Sequence, residues 1–144
     1  MRPRTGSDAV DAILYAAHRI RTSADAALRE HGLSLPALKL LTALASGDRS
    51  MREISQVLHV SPRTVTDMID TLEGRGLVAR RAHATDRRVT LLRLTEAGAR
   101  ELATASTASE RVAATAISAL DEDEQRTLQN LLERVCVRAG KPAR

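Results

Sequence analysis

The stretch Ser50–Leu94, SMREISQVLHVSPRTVTDMIDTLEGRGLVARRAHATDRRVTLLRL, reads as helix, turn, helix and basic hairpin. Ser50 and Glu53 have the spacing of a capping box, in which the Ser50 hydroxyl accepts from the Glu53 amide and the Glu53 carboxylate accepts from the Ser50 amide. Ile54, Val57 and Leu58 then fall on one face. A second helix opens with Ser61 as N-cap and Pro62 at the first helical position, where a missing N–H costs nothing and φ is already helical. Leu58, His59 and Val60 alone separate the two helices, so they must cross sharply, as in a helix-turn-helix. His59 holds the place where many such turns carry Gly, and His tolerates a positive φ better than most residues.

Val65, Met68, Ile69 and Leu72 recur at helical spacing and form the inward face of the second helix. Arg63, Thr64, Thr66, Asp67, Asp70 and Thr71 are left facing out. Such a face suits a major groove, because hydroxyls serve phosphate or base and Arg takes guanine O6 and N7 together. Ser61, Pro62, Arg63, Thr64 and Thr66 are therefore the candidate contacts, the alternative being an ordinary solvated face. Gly76 ends the helix, and β-branched and apolar residues then flank a small, polar centre from Leu77 to Leu94, a hairpin signal. Arg75 to Arg93 holds six Arg against one acid, Asp86, a local charge of +5 in a chain whose net is +4. A cationic hairpin directly after a helix-turn-helix points to phosphate, with Arg80, Arg87 and Arg88 as its candidate contacts.

The segment resembles the winged helix of the MarR (multiple antibiotic resistance regulator) family of bacterial transcription factors. Asp86-Arg87-Arg88 matches the family's D-x-R wing, and Leu92-Arg93-Leu94-Thr95-Glu96-Ala97-Gly98 matches its L-x-L-T-x-x-G exit into the next helix. The resemblance implies that Arg88 enters the minor groove while Asp86 supports the wing by holding the Arg88 guanidinium; a narrow minor groove attracts Arg. One position departs from the family pattern: Thr66 is followed by Asp67 where Arg is common, and a carboxylate there repels phosphate.

The 144 residues make one domain's worth of chain, with 43% hydrophobic and 28% charged residues, ordinary for a globular protein. Phe and Trp are absent and Tyr15 is the one aromatic residue, so the core must be built from Leu, Val, Ile and Ala. No apolar run approaches the length needed to span a bilayer, and the basic start Met1-Arg2-Pro3-Arg4 leads into no secretory core, giving the expectation of a cytoplasmic protein. Ser7 or Asp8 is expected to cap a first helix that stops near Gly32, with Val10, Ile13, Leu14, Ala17, Ile20, Ala24 and Leu28 as its apolar stripe. Ser34 caps a second helix closed by Gly47, with Leu38, Leu41 and Leu44 facing the core. Thr95 caps a long helix running to about Leu120, and Asp121 with Glu124 forms another capping box before a last helix that carries Leu128, Leu131, Leu132 and Val135.

The expected fold is mainly α with a small β wing: one MarR-like domain over 1–144, made of a winged helix-turn-helix lobe over 33–94 and a helical dimerisation region over 8–31 and 95–140. Two long terminal helices without aromatic bulk have no core of their own, so the economical expectation is that they pack against a second copy as a homodimer; the resemblance implies the same. An intramolecular pair in a monomer is the alternative. Two-fold symmetry would make the DNA target an inverted repeat. Relatives respond to small anionic or aromatic molecules, and Tyr15, His18 and Arg19 are the candidate lining of such a pocket, or else ordinary surface residues. His18, His31, His59 and His83 are scattered without metal-ligand spacing, and no phosphate loop or nucleophile elbow is present, so neither metal, cofactor nor enzymatic chemistry is expected. Cys136 is the one cysteine, with burial in the last helix as its expected state. The function expected is a ligand-responsive repressor; the alternative is an adaptor whose winged helix meets an acidic protein.

Overall fold

The computed structural model describes residues 6–140. It is mostly helical with one small antiparallel sheet: α1 (Gly6–Arg29), α2 (Leu35–Ala45), β1 (Arg49–Ser50), α3 (Met51–Leu58), α4 (Pro62–Gly74), β2 (Val78–Ala82), β3 (Thr90–Leu94), α5 (Glu96–Ile117) and α6 (Glu122–Ala139). The strands run in the order β1-β3-β2.

Local chemistry starts most of these elements. Ser34 accepts from the Ala37 amide at 3.3 Å at the start of α2, while Asp25 of α1 accepts from the Leu35 amide at 2.9 Å, so two side chains satisfy donors that the helix itself cannot. Both capping boxes form as read, Ser50 with Glu53 and Asp121 with Glu124. The paired hydrogen bonds to Ser50 hold the Glu53 carboxyl below its ordinary value. His59 adopts the left-handed conformation at φ 54°, and the Ser55 hydroxyl closes the turn by donating to the Val60 carbonyl at 2.6 Å. Gly76, at φ 71°, lets the chain leave α4 in a direction that an L side chain would resist.

The core lies under the helix-turn-helix. Leu28 of α1, Leu40 and Leu41 of α2, Ile54 of α3, Ile69 and Leu72 of α4, and Leu92 of β3 are all fully buried. Each such side chain stabilises the fold by about 1.5–3 kcal/mol through removal from water. Val65, Ile69 and Leu72 turn inward as the spacing requires, with Met68 at the edge and Arg63, Thr64, Thr66, Asp67, Asp70 and Thr71 all outside.

Four expectations are corrected. α1 is already helical at Gly6, so Ser7 and Asp8 lie inside its first turn and do not cap it. Val57 is exposed, three residues beyond the buried Ile54 in the last turn of α3. α5 stops at Ile117, and Ser118, Ala119 and Leu120 form a turn before Asp121. Cys136 is exposed on α6. β1 is an addition: two residues pair with β3, Arg49 opposite Leu92 and Ser50 opposite Leu91, tying the start of α3 to the hairpin.

The terminal helices differ from the lobe. Only Ala24 and Leu28 of the expected α1 stripe are buried, while Val10, Leu14 and Ile20 face solvent and Ile13 is half-buried. α6 buries none of its residues, and Leu128, Leu131, Val135 and Val137 are exposed along it. No helix among the described residues is long and apolar enough to cross a membrane.

Candidate nucleic-acid interface

The outer face of α4 begins with the Ser61 cap, which accepts from the Thr64 amide at 3.2 Å and shares a hydrogen bond with the Thr64 hydroxyl at 2.9 Å. Thr66 donates its hydroxyl to the Pro62 carbonyl at 3.0 Å. These exposed hydroxyls are thus oriented by the helix itself and keep unused hydrogen-bonding capacity. Arg63, by contrast, has no ion-pair or side-chain hydrogen-bond partner among the described residues. Its side chain is exposed in the first turn of the helix.

The wing rises from β2 and β3, which pair from Val78 with Leu94 to Ala82 with Thr90. Its arginines divide into two groups. Arg80 points back to α4, held by Asp70 at 2.6 Å and by Glu73. The Asp70 hydrogen bond, followed by the pairing with Glu73, raises the Arg80 pKa above its ordinary value. Arg80 therefore clamps the wing to α4, giving one N–H from each terminal nitrogen to a carboxylate. Arg81 and Arg93, on neighbouring strands, both face Asp48, at 2.7 Å and 3.3 Å. The Arg81 contact lies off the line of a hydrogen bond, which leaves Asp48 Oδ2 buried without one despite the short approach. Arg75 is occupied by the carbonyls of His31 and Gly32.

Arg87 and Arg88 at the tip are left without an ion-pair partner among the described residues. The loop between the strands is set by its own side chains. His83 Nδ1 accepts from the amides of Thr85 and Asp86, each at 3.3 Å, and Asp86 Oδ1 accepts from the Arg88 amide at 3.0 Å. The expectation that Asp86 grips the Arg88 guanidinium is corrected: it fixes the backbone at Arg88 as an Asx turn does, and the guanidinium projects free. Asp86 supports the wing all the same, through the main chain.

Sequence reading missed Asp48, Asp70, Glu73 and His83. Asp70 reads from the sequence as an outward residue of α4, but the partner it shares with Glu73 comes from a strand whose register the sequence alone does not fix. Tyr15 and Arg19 do come together: they line an open groove of about 560 Å³ between α1 and α5, with Arg111, Val112 and Thr115 opposite. His18 does not line it.

The sequence model of the MarR family matches residues 33–90. Among curated proteins, the chain is similar to the uncharacterized HTH-type transcriptional regulator YdgJ of Bacillus subtilis, at 30% identity over 105 residues, which cover 72% of this chain and 64% of that protein. The match thus spans less than two thirds of that relative's length. Among solved structures, it is similar to a cysteine-to-serine mutant of MarR from E. coli complexed with operator DNA, with a TM-score of 0.77 and 24% identity, covering 87% of this chain and 91% of that one. Bordetella bronchiseptica BpsR, whose DNA binding is regulated by 6-hydroxynicotinic acid, superposes with a TM-score of 0.77 at 21% identity over 90% of this chain and 98% of that one.

Proposed function

We propose that the chain, which matches the MarR family model over residues 33–90, is a sequence-specific, DNA-binding transcriptional regulator acting as a homodimer. The observation that carries this reading is the sorting of arginines. Arg75, Arg80, Arg81 and Arg93 are spent on the protein's own oxygens, whereas Arg63 on α4 and Arg87 and Arg88 on the wing have no ion-pair partner among the described residues. Free guanidinium groups at the start of an exposed helix and at a hairpin tip can reach a major groove and the adjoining minor groove. Ser61, Thr64 and Thr66 add hydroxyls for phosphate or base edges, and Pro62 brings the backbone close.

The exposed apolar faces of α1 and α6 are the surface that a second copy would cover, giving two recognition helices related by a two-fold axis. A dimer on a promoter excludes polymerase, so the regulator acts as a repressor. The groove holding Tyr15 and Arg19 suits a small anionic or aromatic effector, in keeping with the regulation of BpsR by 6-hydroxynicotinic acid. Such a ligand would favour a dimer whose recognition helices sit at the wrong separation.

Selection of bound duplexes from a random pool tests the reading. The expected product is an inverted repeat with half-site centres roughly 34–36 Å apart, bound with an affinity that falls steeply with salt. Recovery of a direct repeat, or no binding at low ionic strength, overturns it; capture of an acidic protein in place of DNA would make the chain an adaptor.

A further inference from the structure

We propose that Arg75 sets the tilt of α4 against α1 and α5, and through that tilt the half-site spacing that the dimer accepts; the inference rests on the homodimeric DNA-binding reading above. Arg75 is the C-cap of α4. Its guanidinium spans more than 40 residues of sequence, Nη1 donating to the Gly32 carbonyl at 2.7 Å and Nη2 to the His31 carbonyl at 2.9 Å. Those carbonyls follow the end of α1, where the helix dipole favours a cation. Glu101 of α5 completes the junction, its Oε1 lying 4.0 Å from Arg75 Nη2 and 3.6 Å from His31 Nδ1. One planar fork thus joins the end of α4 to α1 and α5, a geometry that a lysine ammonium cannot copy.

Gly32 makes the fit close. At φ +63°, it presents a bare α-carbon to the guanidinium, and a Cβ there would stand 3.2 Å from Arg75 Nη1. The next two residues are gripped from the other side. Thr95 donates its hydroxyl to the Gly76 carbonyl at 2.6 Å and its amide to the Leu77 carbonyl at 3.1 Å. The turn after α4 is therefore fixed to α1 and α5 together, whereas among the described residues the side-chain hydrogen bonds at the Arg63 end of α4 are all local to that helix and its cap.

A 13-residue helix is about 20 Å long, so a tilt of about 5° at Arg75 moves the Pro62 end by roughly 2 Å. That is over half of the 3.4 Å rise of one base pair along a strand. Small changes at the junction therefore matter to register.

Cys136 is the one cysteine, so a Cys136→Ser, Asp67→Cys protein can carry a single nitroxide on α4 in each protomer. Pulsed dipolar spectroscopy then reads the distance between the two recognition helices. The parent should give one narrow distribution, which Arg75→Gln and the milder Arg75→Lys broaden or displace by up to about 2 Å, since the same tilt moves position 67, about 12 Å from Arg75, by about 1 Å in each protomer. Leu44→Val, a core change that lowers stability without touching the junction, should leave it narrow. In parallel, moving the half-sites of the selected duplex by one base pair should cost the wild type about tenfold in affinity, and Arg75→Gln less than about threefold. Both Arg75 variants retaining the parental distances and the tenfold penalty would overturn the proposal while leaving the DNA-binding reading intact. A parent that shows no distance between protomers overturns the dimeric reading, and this one with it.

Discussion

Arg63 and Arg88 carry free charge from different elements, and their loss should be felt differently. Arg88→Ala, removing a wing-tip cation whose backbone Asp86 has fixed, should weaken binding to all duplexes and reduce the log–log salt slope by about one per protomer. Arg63→Ala should cost about 1–3 kcal/mol on the selected site and relax preference at one position of each half-site; a salt titration and a competition against single-base variants separate the two. Glycines offer a second contrast at this scale. A Cβ at Gly98 would stand 2.0 Å from the Leu77 carbonyl oxygen, backbone against backbone, whereas one at Gly74 would meet nothing within 4 Å. Gly98→Ala should therefore destabilise by on the order of 3 kcal/mol, and Gly74→Ala should be neutral or stabilise by up to about 1 kcal/mol. Thermal melts of the two variants check the pair. They also give the L-T-x-x-G signature its physical content: Thr95 holds the turn after α4, and Gly98 lets α5 approach it.

At the scale of elements, the wing is held by charge and the helices by caps. Replacing both partners of Arg80, Asp70→Asn with Glu73→Gln, should leave the melting temperature nearly unchanged, because pairs this exposed contribute about 0.2–1 kcal/mol each. Amide exchange in Val78–Ala82 should quicken and operator affinity should fall, since the hairpin then moves independently of α4. The α3 capping box has a pH signature. The Glu53 carboxyl is held below its ordinary value by the Ser50 hydrogen bonds, so its contribution is present at neutral pH and is lost as pH falls below about 4.3, the value of the unfolded carboxyl. Glu53→Gln should flatten that part of the stability–pH curve. These two kinds of device explain what could be read in advance. Ser34, Ser50, Ser61, Thr95 and Asp121 act on amides two or three residues away, so spacing alone identifies them. Asp48 meets Arg81 and Arg93 only after β2 and β3 have paired in register, so a count of arginines along the hairpin could not tell which were already neutralised.

For the whole molecule, the buried core gathers under the winged helix with Leu28 of α1 and Ala105 of α5 contributing to it, while most of α1 and all of α6 stay outside it. The α1 stripe was legible as apolar but not as unburied, because periodicity reports which face is apolar and not what covers it. Leu131→Asp combined with Val135→Asp, placed on exposed positions of α6, should yield a folded monomer in sedimentation analysis. The lobe should keep its melting transition, while affinity for the inverted repeat drops to that of a single half-site. A monomeric wild type, by contrast, would remove the two-fold argument.

Tyr15 lies far from the lobe's interior, 64% exposed on α1, in a protein that contains neither Trp nor Phe. Denaturation of the winged helix is consequently dark in the near ultraviolet. The sole intrinsic fluorophore instead watches the groove and the surface where a second chain would dock, so emission or anisotropy at 15 becomes a label-free gauge of subunit association and effector capture, uncontaminated by core melting.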